Sequence, residues 1–251
     1  MEKEELLFRK RIGELARICY ERDVPVHTDF LTLNEQTIFL SLVPSLPPVR
    51  YELTGGYEMA ERKVVCFLPS YEESLMEAPF VCLLAQPVNL RFAQELTHRD
   101  YLGAVMNLGI ERDKIGDILI EGKACHMFCM EDMADYLCRE IHSVGRTNLT
   151  LSRVPAEELK IAPRFERISG SVASLRLDCV LALVWRSSRT KMTPYIEGEK
   201  VFVNGRLALS NSQILKEGDV VSVRGLGKFA YRGVETEPKK GRLFIAVDRY
   251  C

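Results

Sequence analysis

The sequence predicts an α+β protein. Helix-spaced apolar residues dominate the first twenty positions, and short Val- and Ile-rich runs bounded by Gly, Asn and Asp follow later. Hydrophobic residues make up 47% of the 251 positions, which can bury one large core or two smaller ones, and the length favours two domains. Since no apolar run approaches the ~18 residues of a membrane helix, we expect a cytoplasmic protein without membrane contact.

Residues 1–75 are predicted to form a small segment of helices and strands. A charged helix is expected over Glu2–Tyr20, and a second helix over Asn34–Leu42, where a group of prolines ends it. Two strands, Val49–Leu53 and Lys63–Leu68, flank a Gly-Gly turn and are expected to pair. The segment is therefore expected to be a small cap on the rest of the chain.

Residues 76–160 are predicted to form a ferredoxin-like (RRM-like) domain with the element order βαββαβ. The predicted elements are, in order, the strand Val88–Ala93, the helix Thr97–Leu108, the hairpin strands Asp117–Glu121 and Ala124–Cys129, the helix Glu131–His142 and the strand Thr147–Val154. This order is the split βαβ topology that ferredoxin-like and RNA-recognition domains share. Because the fold hosts many functions and the aromatic stacking signature of RNA-recognition domains is missing, the order alone does not assign RNA binding.

The charge is distributed unevenly along the chain, although the formal net charge is only −1. From Arg164 onward there are 16 Lys and Arg against 9 Asp and Glu, whereas the preceding residues carry 18 against 26. A basic C-terminal third after an acidic body favours a module that faces a polyanion. Residues 161–173, in a proline-containing stretch without periodicity, are predicted to be the linker to that module.

Residues 174–235 are predicted to form a separate small module, followed by a C-terminal extension strand at 236–251. Apolar residues at helical spacing predict its first helix, namely Leu177, Val180, Leu181 and Val184. Arg176 lies near the start of this helix on its exposed side. Asp178, in its first turn, is expected to cap the helix or to form an ion pair.

The second helix of the module is expected to begin at Ser187 or Ser188, either of which can cap backbone amides. Arg189 and Lys191 follow on the first turn, at the positive end of the helix dipole. Backbone N–H donors together with two cationic side chains are the chemistry of a phosphate site. Pro194 is expected to bend or end this helix.

A β-hairpin is predicted after the second helix. Asn204-Gly205 is the strongest short hairpin signal in the chain, and it joins Lys200–Val203 to Leu207–Leu209. A further strand that ends at Arg224 closes the module.

The order of these elements from Ser174 to Phe229 resembles the S-four (alpha-L) RNA-binding domain. In that family, basic residues of the two helices and the adjoining strand grip structured RNA through its backbone and shape. The resemblance implies an RNA-binding role for Arg176, Arg189, Lys191, Lys200, Asn204, Arg206, Arg224 and Lys228. The alternative for each of them is an ordinary solvated surface residue.

Upstream motifs extend the resemblance over nearly the whole chain. Thr54–Lys63, Leu96–Ile110 and Gly116–Ile118 resemble the bacterial YlmH-like proteins, which join such an N-terminal region to an S-four module. This resemblance implies a non-catalytic factor that binds ribosomal RNA or tRNA. It also implies action on large ribosomal subunits obstructed by peptidyl-tRNA, in ribosome-associated quality control.

A second RNA or partner surface is predicted within these upstream motifs. Its candidate residues are Arg62, Lys63, His98 and Arg99. Arg99 follows Thr97, a potential helix cap, and therefore lies near backbone amides. The alternative is that His98 packs structurally and that Arg99 pairs with Asp100 or Glu95.

Two other classes of function stay open at this point. An RNA-modifying enzyme of the pseudouridine synthase or methyltransferase type could carry the S-four module as an RNA-holding appendage, but no constellation of catalytic residues is visible. A protein-interaction adaptor could use the acidic N-terminal body, and its binding would survive high salt.

The sequence predicts neither a cofactor nor a metal site. The eight cysteines include no closely spaced pair of the kind that binds zinc, and Cys125 and Cys129 are expected to be buried on one face of a strand. We therefore expect a reduced, monomeric protein without a small-molecule substrate.

Overall fold

The computed structural model describes residues 2–57, 60–70, 78–155, 165–236 and 242–250. The chain divides into two compact units, unit 1 at 1–161 and unit 2 at 162–251, so that the division falls at the start of the predicted linker. Both units combine helices with antiparallel sheets, which confirms the α+β class.

The N-terminal part of unit 1 is a small sheet covered by two helices. Its elements are α1 (Glu2–Arg22), β1 (Val26–His27), α2 (Leu33–Leu42), β2 (Arg50–Thr54) and β3 (Val64–Leu68). The strand order is β1-β3-β2, and the predicted pairing of β2 with β3 is confirmed. Every residue of β3 is buried, because helices α1 and α2 cover one face of this sheet and the rest of unit 1 covers the other.

The remainder of unit 1 has the predicted split βαβ topology with one short extra strand. Its elements are β4 (Phe80–Pro87), α3 (His98–Met106), β5 (Ile115–Glu121), β6 (Ala124–Met130), α4 (Glu131–Glu140), β7 (Ser143–Val144) and β8 (Thr147–Val154). The strand order is β5-β6-β4-β8-β7, and all neighbours are antiparallel. Helices α3 and α4 pack on the face that carries Leu83, Met127 and Cys129.

The two parts of unit 1 share a core. Phe80, Phe128 and Met130 on the other face of the larger sheet pack against Val64 of the smaller sheet and against Phe30, which lies between β1 and α2. The segment 1–75 is thus packed into the same compact unit as residues 76–160. This contact covers the sheet face on which RNA-recognition domains stack bases.

The predicted strand Val88–Ala93 is wrong. The strand runs instead over Phe80–Pro87, where it pairs with both β6 and β8 as a central strand. Pro87 lies at its end, and the side-chain oxygen of Asn89 accepts a hydrogen bond from the amide of Arg91 at 3.0 Å, which favours a turn. Residues 88–93 therefore form a loop.

The predicted burial of the strand cysteines is confirmed. Cys125 and Cys129 are both fully buried beneath the helices. Burial raises the pKa of the Cys129 thiol to about 12, so this group stays protonated at neutral pH. Within the described ranges, His, Cys, Asp and Glu form no cluster of three that could hold a metal ion.

Unit 2 is one sheet with two helices on one face. Its elements are β9 (Phe165–Val172), α5 (Leu177–Val184), α6 (Arg189–Glu197), β10 (Val201–Val203), β11 (Arg206–Leu207), β12 (Val220–Val223), β13 (Gly227–Thr236) and β14 (Leu243–Tyr250). The strand order is β11-β10-β12-β13-β14-β9. The apolar stripe of α5, which includes Leu177, Val180, Leu181 and Val184, packs on this sheet as predicted.

Part of the predicted linker 161–173 is wrong, because Phe165–Val172 is strand β9. All eight of its residues pair with β14, and Ile168 and Val172 are buried in the core. This pairing is distant in sequence, so no local signal reveals it. Residues 156–164 lie outside the described residues.

The predicted extension strand at 236–251 is present over Leu243–Tyr250, but it lies inside the sheet between β13 and β9. The hairpin turn is also confirmed: Asn204 and Gly205 have φ values of 50° and 75°, as a type I′ turn requires. Helix α6 continues through Pro194 to Glu197, so the proline does not end it.

Among the described helices, none combines the length and the apolar character needed to cross a membrane.

Candidate nucleic-acid interface

The centre of the basic surface in unit 2 is a buried carboxylate that holds two arginines. The Asp178 side chain is only 4% exposed. Its Oδ1 accepts from Arg176 Nε at 3.2 Å, and its Oδ2 accepts from Arg176 Nη2 at 3.3 Å. Arg189 donates to Oδ2 through Nε at 3.0 Å and through Nη2 at 2.6 Å. The predicted ion-pair role of Asp178 is confirmed.

Local sequence explains why these three side chains meet. Arg176 is the N-cap residue of α5, and Asp178 lies in the first turn, where the helix dipole favours a negative charge. Arg189 is the first residue of α6, which packs against α5 through the shared core. Burial raises the pKa of the Asp178 carboxyl, but the hydrogen bonds and charges of Arg176 and Arg189 outweigh it and lower the pKa below its usual value.

Both guanidinium groups keep a face towards solvent. The Arg176 side chain is 38% exposed and the Arg189 side chain 54% exposed. One carboxylate neutralises only one of the two positive charges, so the cluster keeps a net positive charge. Arginines oriented by a carboxylate can present their remaining N–H groups to the oxygens of a phosphate.

The first turn of α6 adds a further cation beside this cluster. Ser188 is the N-cap residue, and its hydroxyl oxygen accepts from the backbone amide of Lys191 at 3.3 Å. This amide is therefore occupied by the cap. The Lys191 side chain is exposed and contributes its charge.

The structure does not bring all eight predicted RNA-binding residues onto one surface. Val201, Val203, Val221 and Val223 face the helices, so alternation along the strands turns Phe202 and Ser222 to the opposite face. Arg224 lies on that opposite face, with its guanidinium carbon 4.8 Å from the centre of the Phe202 ring. Lys228, opposite Ser222, lies there too, 4.4 Å from the centre of the Tyr250 ring.

The remaining predicted residues lie around the hairpin. The Lys200 ammonium is 5.7 Å from the centre of the Tyr195 ring, and Arg206 is exposed beside the turn. The Asn204 amide nitrogen donates to Asp219 at 2.8 Å, and its oxygen accepts from the amide of Val220 at 2.9 Å. The Asn204 side chain thus ties the hairpin to the next strand, and this structural role accounts for both of its polar groups.

Arg242 is a basic residue of this surface that sequence reasoning missed. It donates to the hydroxyl and to the carbonyl of Ser171 at 3.0 and 3.1 Å. Together with Arg189, Ser171 and Ser187 it lines one groove on unit 2. Arg242 lies beyond the predicted module boundary at residue 235, and only the charge excess after Arg164 pointed to it.

The second predicted surface requires a correction at Arg62, whose guanidinium points inward. Its Nε donates to the carbonyl of Ile115 at 2.9 Å, and its Nη2 donates to the carbonyl of Phe30 at 2.7 Å. Asp117 accepts from the Arg62 backbone amide at 3.1 Å. Burial lowers the pKa of Arg62, and nearby acidic residues oppose that shift. Arg62 therefore joins the two parts of unit 1 instead of facing a ligand.

His98 and Arg99 lie at the other end of the same sheet. The strand register places Ile115, the residue that Arg62 contacts, beside the first residues of β4. His98 and Arg99 begin α3, which follows the last residue of β4, so they lie at the opposite end of the sheet. Arg99 lines a groove there with Gly145. Asp100 accepts hydrogen bonds from the amide and the hydroxyl of Thr97, both at 2.7 Å, in a capping box. The four residues, including Lys63 next to Arg62, therefore do not form one surface.

An α+β scaffold that presents oriented, partly exposed arginines at a helix start offers the groups that bind the phosphates of a nucleic acid. Comparison with known proteins agrees with nucleic-acid binding. Residues 81–158 match the family model described as "Putative RNA-binding domain in YlmH".

The full-length comparison identifies the family. The chain is 34% identical over 254 residues to the ribosome-associated protein quality control protein P2 of Bacillus subtilis, covering 98% of this chain and 96% of that protein. The chain therefore belongs to the YlmH-like family, which confirms the resemblance found in the sequence motifs. The cell division protein ylmH from Streptococcus pneumoniae shares the fold with a TM-score of 0.52 at 22% identity, over 63% of this chain and 95% of that one.

Proposed function

We propose that this protein is a non-catalytic RNA-binding protein of ribosome-associated quality control. It binds ribosomal RNA, tRNA or both, on large ribosomal subunits obstructed by peptidyl-tRNA. The cluster of Arg176, Asp178 and Arg189 carries the RNA-binding part of the proposal. The name of the Bacillus subtilis relative, ribosome-associated protein quality control protein P2, supports the ribosomal part.

The primary contact is assigned to the helix side of unit 2. Arg176 and Arg189, held by Asp178, bind phosphate groups in a fixed orientation, and Lys191, two residues after Arg189 on α6, adds a contact. Arg242 extends this contact along the groove that it shares with Arg189. These cations contact phosphates and not bases, so they recognise the positions of phosphate groups along the RNA backbone. A structured RNA is then recognised by the shape of its backbone.

The hairpin extends the footprint through Lys200 and Arg206. Arg224 and Lys228, on the opposite sheet face, each lie over an aromatic ring. They are assigned a secondary contact. Asn204 is left out of the RNA-binding set because its side chain is bonded within the protein.

The test is to replace the two cations of the first turn together, as Arg189→Ala with Lys191→Ala. Removing two phosphate contacts is expected to weaken binding to large ribosomal subunits by about ten-fold or more. Co-sedimentation with subunits isolated from cells measures this loss. The matched control, Lys10→Ala with Arg17→Ala on α1, removes the same charge from exposed positions and is expected to co-sediment like the wild type.

Unchanged co-sedimentation of the Arg189 and Lys191 variant, with an unchanged melting temperature, would contradict the site. Crosslinking the bound RNA in cells and sequencing it tests the function itself. Recovery of one ribosomal segment together with tRNA supports the quality-control role. A single nucleotide whose modification depends on this protein would instead establish an RNA-modifying enzyme.

A further inference from the structure

The loop 88–93 of unit 1 exposes large apolar side chains. The exposed fraction is 65% for Val88, 65% for Leu90 and 74% for Phe92. Scattered single apolar residues are normal on a protein surface, but three in one short loop mark an interaction site. The loop lies within residues 81–158, the part of the chain that matches the RNA-binding family model.

Hydrogen bonds tie the base of the loop to its neighbours. The Lys123 ammonium, from the turn between β5 and β6, donates to the carbonyls of Leu90 at 3.0 Å and of Ala93 at 2.9 Å. The amide of Val88 donates to the carbonyl of Asn148 at 3.0 Å, and Ala93 is only 9% exposed. Phe92 is thus presented on a fixed support, which reduces the entropy lost when a ligand binds.

The chemistry around Phe92 is that of a base-stacking site. The guanidinium carbon of Arg91 lies 6.0 Å from the centre of the Phe92 ring, so an arginine accompanies the exposed aromatic face. Arg99 and Arg146 lie at the same end of the sheet, next to Gly145. The acidic residues nearby include Glu95, Glu121 and the two that share the groove with Arg99, Asp100 and Glu140. Unpaired bases stack on aromatic rings and on guanidinium planes, while nearby cations bind the adjoining phosphates.

We propose that the loop 88–93 is a second RNA contact, in which Phe92 and Arg91 stack on an unpaired base while Arg146 neutralises its backbone. This inference rests on the proposed RNA-binding function and names a contact in unit 1. The sheet face on which RNA-recognition domains stack bases is not available in this protein, because Phe128 on that face is fully buried. Phe92, in contrast, is exposed on its loop.

The test uses an RNA hairpin that carries 2-aminopurine in its unpaired loop. Stacking of this base on Phe92 is expected to quench its fluorescence when the full-length wild-type protein binds. Phe92→Ala is expected to lose the quenching and to bind about ten-fold more weakly, while Phe92→Tyr retains both. The matched control is Tyr20→Ala, which removes an exposed aromatic ring from α1 and is expected to behave like the wild type.

Several outcomes would overturn the inference. Quenching that is unchanged in Phe92→Ala, or full binding and quenching by Phe92→Leu, shows that no base stacks on the ring. Loss of co-sedimentation with large subunits in Phe92→Ala, without any change in hairpin binding, assigns the loop to a protein partner instead. Because Phe92 is exposed, the variants are expected to melt within about 2 °C of the wild type.

The same measurements separate this inference from the proposed function. If Phe92→Ala binds the hairpin normally while the Arg189 and Lys191 variant does not, the loop inference alone fails. If the wild type binds neither the hairpin nor large subunits, both fail.

Discussion

Two pairs of arginines in this protein have opposite environments. In unit 2, Arg176 and Arg189 share the carboxylate of Asp178 and keep part of each side chain exposed. In unit 1, Arg62 and Arg112 both donate to a backbone carbonyl, that of Ile115. The acceptor therefore distinguishes an arginine that can bind a ligand from one that joins parts of the fold.

The pKa shifts of these residues follow the same distinction. Hydrogen bonding to Asp178 raises the pKa of Arg189. Burial, followed by the charge of Arg62, lowers the pKa of Arg112 to about 10. Arg112 nevertheless stays charged at neutral pH. In unit 1, backbone carbonyls thus accept the hydrogen bonds of Arg62 and Arg112 in a partly buried site. Removing either side chain takes a hydrogen-bond donor away from these carbonyls, which is unfavourable because they have little access to water.

The largest expected effect is on the stability of unit 1. Arg62→Ala leaves the carbonyls of Phe30 and Ile115 without this donor, and we expect it to lower the free energy of unfolding by about 3 kcal/mol. Urea denaturation followed by circular dichroism measures the change. The control Arg17→Ala, at an exposed position of α1, is expected to stay within about 0.5 kcal/mol of the wild type. An equally small effect of Arg62→Ala would contradict the structural role assigned to Arg62, and with it the contrast between the arginines of the two units.

The second-largest effect is expected from replacing Asp178, the carboxylate that holds the two arginines of unit 2. Asp178→Asn removes the charge that holds Arg176 and Arg189, and we expect a loss of about 1–2 kcal/mol at pH 7, reduced by the exposure of both arginines. Binding to large subunits is expected to weaken as well, because the guanidinium groups lose their orientation. The matched control is Asp248→Asn, since Asp248 also pairs with two arginines, Arg167 and Arg232. It is expected to retain binding, and a loss of binding there would contradict the assignment.

The stability difference between the wild type and Asp178→Asn is expected to depend on pH, in a direction set by the pKa of Asp178. The folded-state pKa of Asp178 lies below its value in the unfolded chain, near 3.8, so its stabilising contribution is complete above that pH. The contribution is lost as the pH falls through the lowered pKa. Unfolding curves of the wild type and Asp178→Asn should therefore converge at the acidic end of a series from neutral pH downward.

The smallest effect is on salt dependence. Removing Arg189 and Lys191 deletes two phosphate contacts, and the slope of log binding constant against log salt should become shallower by about 1.5. Arg62→Ala, measured where it remains folded, should leave the slope unchanged. Fluorescence anisotropy of a labelled RNA over a salt series measures the slopes. A wild-type slope in the Arg189 and Lys191 variant would show that this pair does not contact RNA.

Much of the fold was predictable because its signals are local. The capping sequence from Thr97 to Asp100 specified the start of α3, and Asn204-Gly205 specified the hairpin. The strand β9 was missed because its partner, β14, lies about 70 residues further along the chain. The loop 88–93 was mistaken for a strand because its apolar residues resemble a buried run, whereas here they are exposed.

The sequence by itself determined the α+β class, the family and the basic character of the C-terminal unit, because each depends on residue types and their spacing. Only the tertiary structure decided which cations can face a ligand. Arg62 and Arg189 are the same residue type. Their roles differ because a guanidinium takes its function from the acceptors and the solvent around it, and packing between distant segments supplies both.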